Sequence, residues 1–288
     1  MSFDAGGDDG PILAVAIEQG RLGAGIVDRT GEVYVRDRIT TPTREVWRAL
    51  EGLIRRVMAA APIEFGPARI AGVSCDGPID QPAGAVSPPV VGPWASFPLR
   101  DRLEDLTGLP VVLDTAGAAA TEAERWLGAA RGMASYVYVI VDRTVESGCV
   151  MDGVRLRGAL GNAGSIAHVN VEPGGRPCWC GAEGCLTAYV SSRAIEAEMN
   201  RPLRRATEPI IELTGIMLGR AIASVAAIVD VTTFFVAGTV IDSFGDTMLE
   251  IARREVAERS RLPTLAELRI IEPDHGIPPL VAAAALAR

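Results

Sequence analysis

The sequence predicts an α/β protein made of two halves, on the basis of its composition and of two separate groups of short strands. Hydrophobic residues make up 48% of the 288 residues and charged residues 22%, which is typical of a folded chain with a sizeable core. Strand patterns fill residues 12–39 and begin again at 135–151. Helical and buried-strand patterns follow each group, so two α/β halves explain the chain better than one.

The first half is predicted to open with a meander of three strands separated by two turns. A helix follows, because residues 43–60 place Leu50, Ile54 and Val57 on one face. Asp114 or Thr115 would cap the last helix of this half. The meander strands, the next buried strand, a Pro- and Gly-rich loop, a short helix, another buried strand and an Ala-rich helix are predicted at 12–17, 22–28, 33–39, 71–75, 82–98, 99–106, 111–113 and 117–127.

The second half is predicted to begin with two further strands and to continue with longer helices. The helix over 210–229 is supported by an apolar stripe that runs from Ile210 through Met217 to Ile228. The two strands, a later buried strand, an amphipathic helix, a short strand and a final helix are predicted at 135–141, 149–151, 233–237, 244–259, 268–271 and 279–287.

The charge and hydropathy of the chain limit its partners. The formal net charge is −8, and an acidic surface repels phosphate backbones, so we expect no nucleic-acid partner. The apolar stretches end before the roughly 20 residues that a membrane helix needs, so we expect no membrane span. Residues 1–11 are acidic and rich in glycine and lack the regions of a signal peptide, which predicts a disordered tail on a cytoplasmic protein.

The strongest local signal is a group of three cysteines, Cys178, Cys180 and Cys185. With His168 they would supply the three thiolates and one imidazole of a tetrahedral zinc site. All four positions would then be filled by the protein, so we expect a structural ion rather than a catalytic one. The alternative is three free cysteines in a loop beside an unrelated histidine.

Two neighbouring segments resemble the ROK family of repressors, open reading frames and sugar kinases. Residues 163–168 are Ala-Gly-Ser-Ile-Ala-His where that family has Ala-Gly-Glu-Ile-Gly-His. Residues 178–186 match the family's Cys-x-Cys-Gly-x-x-Gly-Cys-Leu knuckle, which is a specific motif. Shorter matches, which extend the resemblance to about residues 12–288, occur at 73–80, 111–120 and 235–238.

The resemblance implies a two-lobed, actin-like ATPase fold of the ribonuclease H-like type, with an inserted zinc knuckle at 168–185. It implies an N-terminal lobe over 12–114, completed by the last helix at about 279–288, and a C-terminal lobe over 115–278. Many members phosphorylate hexoses with Mg-ATP, and many form dimers. A sugar-like small ligand and a homodimer are therefore implied as well.

The family's first phosphate loop, Asp-x-Gly-Gly-Thr-Lys, falls on residues 16–21, which are Ala-Ile-Glu-Gln-Gly-Arg. Glycines at such loops let backbone N–H groups approach a phosphate closely. Glu18 instead adds bulk and negative charge there. Gly20 and Arg21 complete the altered loop, and of these only the arginine favours phosphate.

The second phosphate loop, Gly-Thr-Gly-Ile-Gly, falls on residues 142–146, which are Asp-Arg-Thr-Val-Glu. Asp142 and Glu146 oppose a polyphosphate, since two like charges at about 4 Å repel by roughly 4 kcal/mol at an effective dielectric of about 20. Arg143 favours phosphate. The family's late Gly-Gly turn keeps only its second glycine, Gly238. Three altered loops together argue against Mg-ATP as a cofactor.

The family's catalytic aspartate accepts the proton of the attacking sugar hydroxyl. When the alanines that follow are aligned without a gap, this position is Thr115. A threonine hydroxyl is no base unless a partner activates it. Asp114 lies one residue earlier, and a one-residue gap in the alignment would restore a carboxylate at the catalytic position.

The sugar-binding positions are altered too. Ser165 and Thr187 replace glutamates that would hold adjacent sugar hydroxyls, and Gly117 replaces an asparagine. His168 is retained, and its second ring nitrogen could face a ligand. With Asp114, these residues form the predicted ligand-binding set of Asp114, Ser165, His168 and Thr187.

Three functional hypotheses remain open. The first is a pseudokinase, a non-catalytic ROK homologue that binds a small ligand or acts through its dimer surface. The second is an active sugar kinase with a relocated site, in which Asp114 is the base and Arg21 and Arg143 contact phosphate. The third is a structural subunit that pairs with another ROK protein. The first is favoured, because three independent loops are altered together.

Overall fold

The computed structural model describes residues 10–62, 66–273 and 276–288, so most of the predicted tail lies outside the described residues. The strands are β1 (Ile12–Glu18), β2 (Arg21–Val27), β3 (Val33–Thr40), β4 (Ile70–Cys75), β5 (Ile79–Asp80), β6 (Ala85–Val86), β7 (Val111–Thr115), β8 (Tyr136–Val141), β9 (Val145–Met151), β10 (Val154–Arg155), β11 (Thr233–Ala237) and β12 (Arg269–Ile271). The α-helices are α1 (Val46–Ala59), α2 (Leu99–Thr107), α3 (Ala116–Leu127), α4 (Thr187–Val190), α5 (Ser192–Met199), α6 (Glu208–Val229), α7 (Thr239–Arg259) and α8 (Pro279–Ala285).

The first of two compact units is built on a five-stranded sheet with the order β3-β2-β1-β4-β7. β1 pairs antiparallel with β2 and parallel with β4, and β4 pairs parallel with β7. Side chains alternate between the two faces of a strand. Leu13 and Val15 therefore join the core that contains α1, whereas Ile12 and Ala14 join a second core that contains α8.

The second unit is built on another five-stranded sheet, with the order β10-β9-β8-β11-β12. Its pairing repeats that of the first sheet, since β8 is antiparallel to β9 and parallel to β11, which is parallel to β12. Helices α6 and α7 pack closely on each other in this unit. A Cβ on Gly219 would lie 2.7 Å from the carbonyl oxygen of Ala252, so this contact requires glycine.

The boundary between the units differs from the one we expect from the sequence. The first unit takes the described residues up to Arg131, together with 157–163 and 277–288, instead of ending at 114. The reason is that α3 packs on α8 through small side chains, Ala119 and Ala123 against Ala282. The packing of this pair therefore determines where the first unit ends.

Helix α7 begins five residues before the predicted start at 244, and Gly245 has a non-helical backbone within it (φ 59°, ψ −155°). Helix α6 is the one helix, in the parts of the chain that the structure describes, that is long and apolar enough to cross a membrane. Half of its most apolar 18-residue window is buried in the fold, and buried core helices meet the same criterion.

Candidate ligand and metal sites

Three parallel strands of the first unit end at the same edge of their sheet, and a carboxylate lies at each end. Glu18 is the last residue of β1, Asp76 directly follows β4, and Asp114 is the penultimate residue of β7. Asp76 is 0% exposed and Asp114 is 1% exposed. Ligands of open α/β sheets bind outside the carboxyl ends of the strands. This edge is therefore the candidate ligand site of the first unit.

The Asp114 carboxylate is oriented by two donors. Its Oδ1 accepts a hydrogen bond from the backbone N–H of Thr115 at 2.8 Å, and its Oδ2 accepts one from the side-chain amide of Gln81 at 3.3 Å. Thr115 caps helix α3, because its Oγ1 accepts the backbone N–H of Ala118 at 3.1 Å. The hydroxyl at the predicted catalytic position is therefore used as a helix cap. Asp114 supplies the carboxylate of this strand end.

The first predicted phosphate loop is a tight two-residue hairpin turn. Gln19 and Gly20 join β1 to β2 with φ values of 54° and 73°, the left-handed pair of a type I′ turn. The backbone N–H of Gln19 donates to Asp76 Oδ2 at 3.0 Å, and Ser74 Oγ donates to Glu18 Oε1 at 2.8 Å. One N–H of the turn is thus already bonded to a carboxylate, which is an acceptor that competes with phosphate.

The second predicted phosphate loop contacts the turn that contains Gly238. Asp142, in the β8–β9 turn, accepts hydrogen bonds at Oδ1 from the Thr239 hydroxyl at 2.6 Å and from the Arg143 N–H at 3.1 Å. Thr239 is the first residue of α7. Gly238 has a φ of 115°, and a Cβ there would lie 2.5 Å from the carbonyl oxygen of Val141. The close approach of these two turns therefore requires a glycine.

The predicted ligand residue Ser165 lies in a turn that Ser147 holds in place. Ser147 Oγ donates to the carbonyl oxygen of Gly164 and accepts the N–H of Ile166, both at 2.8 Å. Gly164 has a φ of 87° and lies against the backbone of β9. Ser165 itself is exposed, whereas Thr187 is buried at the start of α4. The sequence pattern did not single out Ser147, because its two partners lie 17 and 19 residues further along the chain.

The four predicted metal ligands lie together in the second unit. One ligand atom from each of His168, Cys178, Cys180 and Cys185 lies within 4.8 Å of all the others. Cys178 Sγ is 3.6 Å from His168 Nδ1, and Cys180 Sγ is 3.8 Å from Cys185 Sγ. The cluster could therefore hold one metal ion.

The protonation states of these groups depend on whether an ion is bound. Partial burial lowers the pKa of His168, which favours the neutral imidazole that a metal ion requires. Burial raises the pKa of Cys178 and raises that of Cys185 to about 12, whereas a hydrogen bond from the Ala182 N–H lowers the pKa of Cys180. Without a cation, the two buried thiols keep their protons at neutral pH. A bound ion would displace those protons.

Arg220, in helix α6, anchors the segment that leads into the cluster. Its Nη1 donates to the carbonyl oxygen of Val171 at 3.0 Å and to the carboxylate of Glu172. Its Nε donates to Glu255 Oε1, on α7, at 3.2 Å. No sequence pattern indicated this residue, because Glu172 lies 48 residues before it.

Comparisons with known proteins identify the family of this chain. The model of the ROK family matches residues 13–286. A glucokinase of Halalkalibacterium halodurans is 37% identical over 142 residues, which span 49% of this chain and 41% of the relative. An N-acetylmannosamine kinase of Haemophilus influenzae is 32% identical over 187 residues, which span 64% of this chain and 61% of the relative.

The matched regions thus span about half the length of these two curated relatives. Among solved structures, a ROK hexokinase from Thermus thermophilus is 27% identical, with a TM-score of 0.78 over 96% of this chain and 97% of that one. The family resemblance that the cysteine knuckle indicated is confirmed by the family match and by the shared fold. This chain belongs to the ROK family.

Proposed function

We propose that this chain is a catalytically inactive ROK-family sugar-kinase homologue that binds a small, sugar-like ligand and acts as a homodimeric binding or regulatory protein. Its relatives include a glucokinase and an N-acetylmannosamine kinase. A hexose or an N-acetylated hexosamine is therefore the ligand class that we propose.

The observation that supports inactivity best is the Asp142 carboxylate. It is bonded to the Thr239 hydroxyl at 2.6 Å, so a negative charge lies in the turn where the family resemblance expects a phosphate-binding glycine. A phosphate charge about 4 Å away would be repelled by roughly 4 kcal/mol at an effective dielectric of about 20. That repulsion corresponds to a roughly thousandfold weaker affinity for Mg-ATP.

Two features of the first unit point the same way. The N–H of Gln19 is bonded to Asp76, so this backbone group of the first loop is already in use. The hydroxyl of Thr115 accepts the N–H of Ala118, which leaves the expected catalytic position as a helix cap. Phosphoryl transfer depends on groups that cradle the phosphates and on a residue that orients the attacking hydroxyl.

A second candidate function is favoured by Asp114. Its buried carboxylate lies at the end of β7, and the Thr115 N–H and the Gln81 amide fix its orientation. An active kinase would use Asp114 as the base that accepts the sugar hydroxyl proton. If this second function is correct, the protein phosphorylates a hexose with ATP, and Asp114→Asn abolishes that activity.

We further propose that the metal is zinc in a structural role. With Zn–S bonds of about 2.3 Å and Zn–N bonds of about 2.0–2.1 Å, tetrahedral geometry separates two sulfurs by about 3.8 Å and a sulfur from a nitrogen by about 3.6 Å. The Cys180–Cys185 distance of 3.8 Å and the Cys178–His168 distance of 3.6 Å agree with both values. Four protein ligands leave no open position for a substrate or water.

The first experiment is thermal denaturation of the purified protein with millimolar Mg-ATP and, separately, with glucose or N-acetylmannosamine. A ligand at about 100 times its dissociation constant stabilises a protein by about 2.7 kcal/mol. We expect no shift with Mg-ATP and a clear shift with a sugar. Asp142→Ala is expected to gain a shift with Mg-ATP. Asp242→Ala is the matched control, since this exposed carboxylate lies in the first turn of the same helix, α7.

A coupled assay for ATP-dependent sugar phosphorylation decides between the two candidate functions. Turnover by the wild type that is lost in Asp114→Asn would establish the active kinase and overturn the proposal of inactivity. A light-scattering mass of a single chain would overturn the homodimer.

A further inference from the structure

The cysteine cluster combines an exposed thiol with a buried one at short range. Cys180 is exposed, whereas Cys178 and Cys185 are buried. The Cys180 and Cys185 sulfurs are 3.8 Å apart, whereas Cys178 Sγ contacts His168 Nδ1 at 3.6 Å. A small solution oxidant would therefore meet Cys180 first. The sulfur placed to react with it next is that of Cys185.

The glycines next to the two cysteines have different surroundings. A Cβ on Gly184 would lie 1.9 Å from the carbonyl oxygen of Glu172, so the backbone just before Cys185 packs directly against the backbone at Glu172. Gly181, directly after Cys180, has a φ of 91° and no atom within 4 Å of its Cβ position. Cys180 lies in a turn that the Cys178 N–H closes on the Ala182 carbonyl oxygen at 2.8 Å. Because its side chain is exposed, rotation of that side chain can close the gap from 3.8 Å to the roughly 2.0 Å of a disulfide.

We propose that this cluster is a peroxide-sensitive zinc switch, in which oxidation links Cys180 to Cys185 and expels the ion. In the first step the Cys180 thiolate attacks a hydroperoxide; an S–O bond forms, the O–O bond breaks, and hydroxide or alkoxide leaves. In the second step the Cys185 thiolate attacks the sulfenic sulfur of Cys180; the S–S bond forms and hydroxide leaves. The two thiolates lose two electrons in total, and the peroxide gains them.

Zinc is released because two of its four ligands are lost. Cys178 and His168 alone make an incomplete site for an ion that requires four ligands. Cys178 is an unfavourable resolving residue, because a disulfide between cysteines separated by one residue is strained. Thiols act on the disulfide by exchange, so a reducing agent with added zinc restores the site.

Release of zinc would loosen a segment that includes predicted ligand residues. His168 is both a cluster ligand and a member of the predicted ligand-binding set. The N–H of Thr187 donates to the carbonyl oxygen of Ala167 at 2.9 Å, so the segment that follows the cluster is hydrogen-bonded to the segment that precedes it. Oxidation is therefore coupled to the ligand site, a consequence that rests on the proposed ligand-binding function.

The test begins with metal analysis of the full-length protein and then treats it with hydrogen peroxide in the presence of a chromogenic zinc chelator. We expect about one zinc per chain at the start, its release on oxidation, and its recovery after reduction with added zinc. Cleavage after Glu183 separates Cys185 from the other two cysteines, and tandem mass spectrometry with backbone fragmentation at Trp179 distinguishes a Cys180 linkage from a Cys178 linkage. The expected product is a Cys180–Cys185 crosslink, with Cys149 still reduced as the buried control at 1% exposure.

The outcomes separate this switch from the zinc proposal on which it rests. Protein without zinc overturns both. Protein with one zinc that peroxide does not release overturns the switch alone, and so does release accompanied by a Cys178 crosslink or by sulfinic acids without any crosslink. In Cys180→Ser, we expect no disulfide at Cys185 at the same peroxide dose. A disulfide between Cys178 and Cys185 in that variant, at the wild-type rate, would assign the first step to Cys178 and overturn the mechanism.

Discussion

Replacing Cys185 with serine is the sharpest test of the proposed zinc site. The thiol is 3% exposed, and its sulfur lies 3.8 Å from that of Cys180. Serine keeps the approximate shape of the side chain but replaces a soft thiolate ligand with a hydroxyl that zinc binds poorly. The protein should therefore lose its ion with little change in packing. The cost is then the free energy that zinc binding contributes to folding.

The size of the effect follows from linkage. Free zinc at about 1,000 times its dissociation constant stabilises the folded state by about 4.1 kcal/mol. The unit that holds the cluster contains roughly 140 residues, for which 1 kcal/mol corresponds to a shift of about 3–5 °C in Tm. We expect Cys185→Ser to lower the Tm of this unit by about 12–20 °C under those conditions.

Calorimetry with and without a chelator is the assay. The wild type should lose about as much stability on chelation as it loses through the substitution, whereas Cys185→Ser should not respond to the chelator. Cys149→Ser is the matched control, because Cys149 is 1% exposed in the same unit and is not one of the four clustered ligands. It should retain the full response to the chelator. A wild type that melts at the same temperature with and without chelator would refute the reasoning.

Three further predictions concern other parts of the fold. Gly164→Ala should lower the free energy of unfolding by more than about 3 kcal/mol, because at a φ of 87° its Cβ would lie 2.7 Å from a backbone nitrogen of β9. Gly153→Ala is the control, since Gly153 has a φ of 76° but open space around its Cβ position, and it should lose only about 1 kcal/mol in chemical denaturation. Burial raises the pKa of Glu124, so its stabilising contribution is fully present below the ordinary carboxyl pKa and declines as the pH rises towards the folded-state value. Glu124→Gln should therefore gain stability relative to wild type as the pH rises above the ordinary carboxyl pKa of about 4.3, and a difference between the two denaturation curves that does not change with pH would contradict this. Arg220→Met should lower the free energy of unfolding by about 1–2 kcal/mol, because it removes the hydrogen bonds to Val171 and Glu172 before the cysteine cluster. Arg55→Met, whose side chain is 63% exposed, should lose no more than about 0.5 kcal/mol. Equal losses at low and at high salt would show that charge has no part in the effect of Arg220→Met.

The sequence by itself determined the class of fold and the cluster of three cysteines and one histidine, because both depend on local patterns. Alternating and helical periodicity predicted the first three strands, α1, α6 and β11 to within a few residues. The cysteine spacing predicted the ligand cluster, because Cys178, Cys180 and Cys185 lie in one tight loop. Helix α7 was predicted too short, since the non-helical backbone at Gly245 separates its first residues from the amphipathic part.

Only the tertiary structure decided which groups the carboxylates of the altered loops and strand ends contact. The Asp142–Thr239 hydrogen bond joins residues 97 positions apart, and the Gln81–Asp114 bond joins residues 33 apart. No local pattern reports such a pair, because the partner of a side chain is chosen by the packing of distant strands and helices. The sequence thus showed that the phosphate loops carry carboxylates. Whether a carboxylate faces solvent or is bonded to another turn depends on where the sheet places the two strand ends.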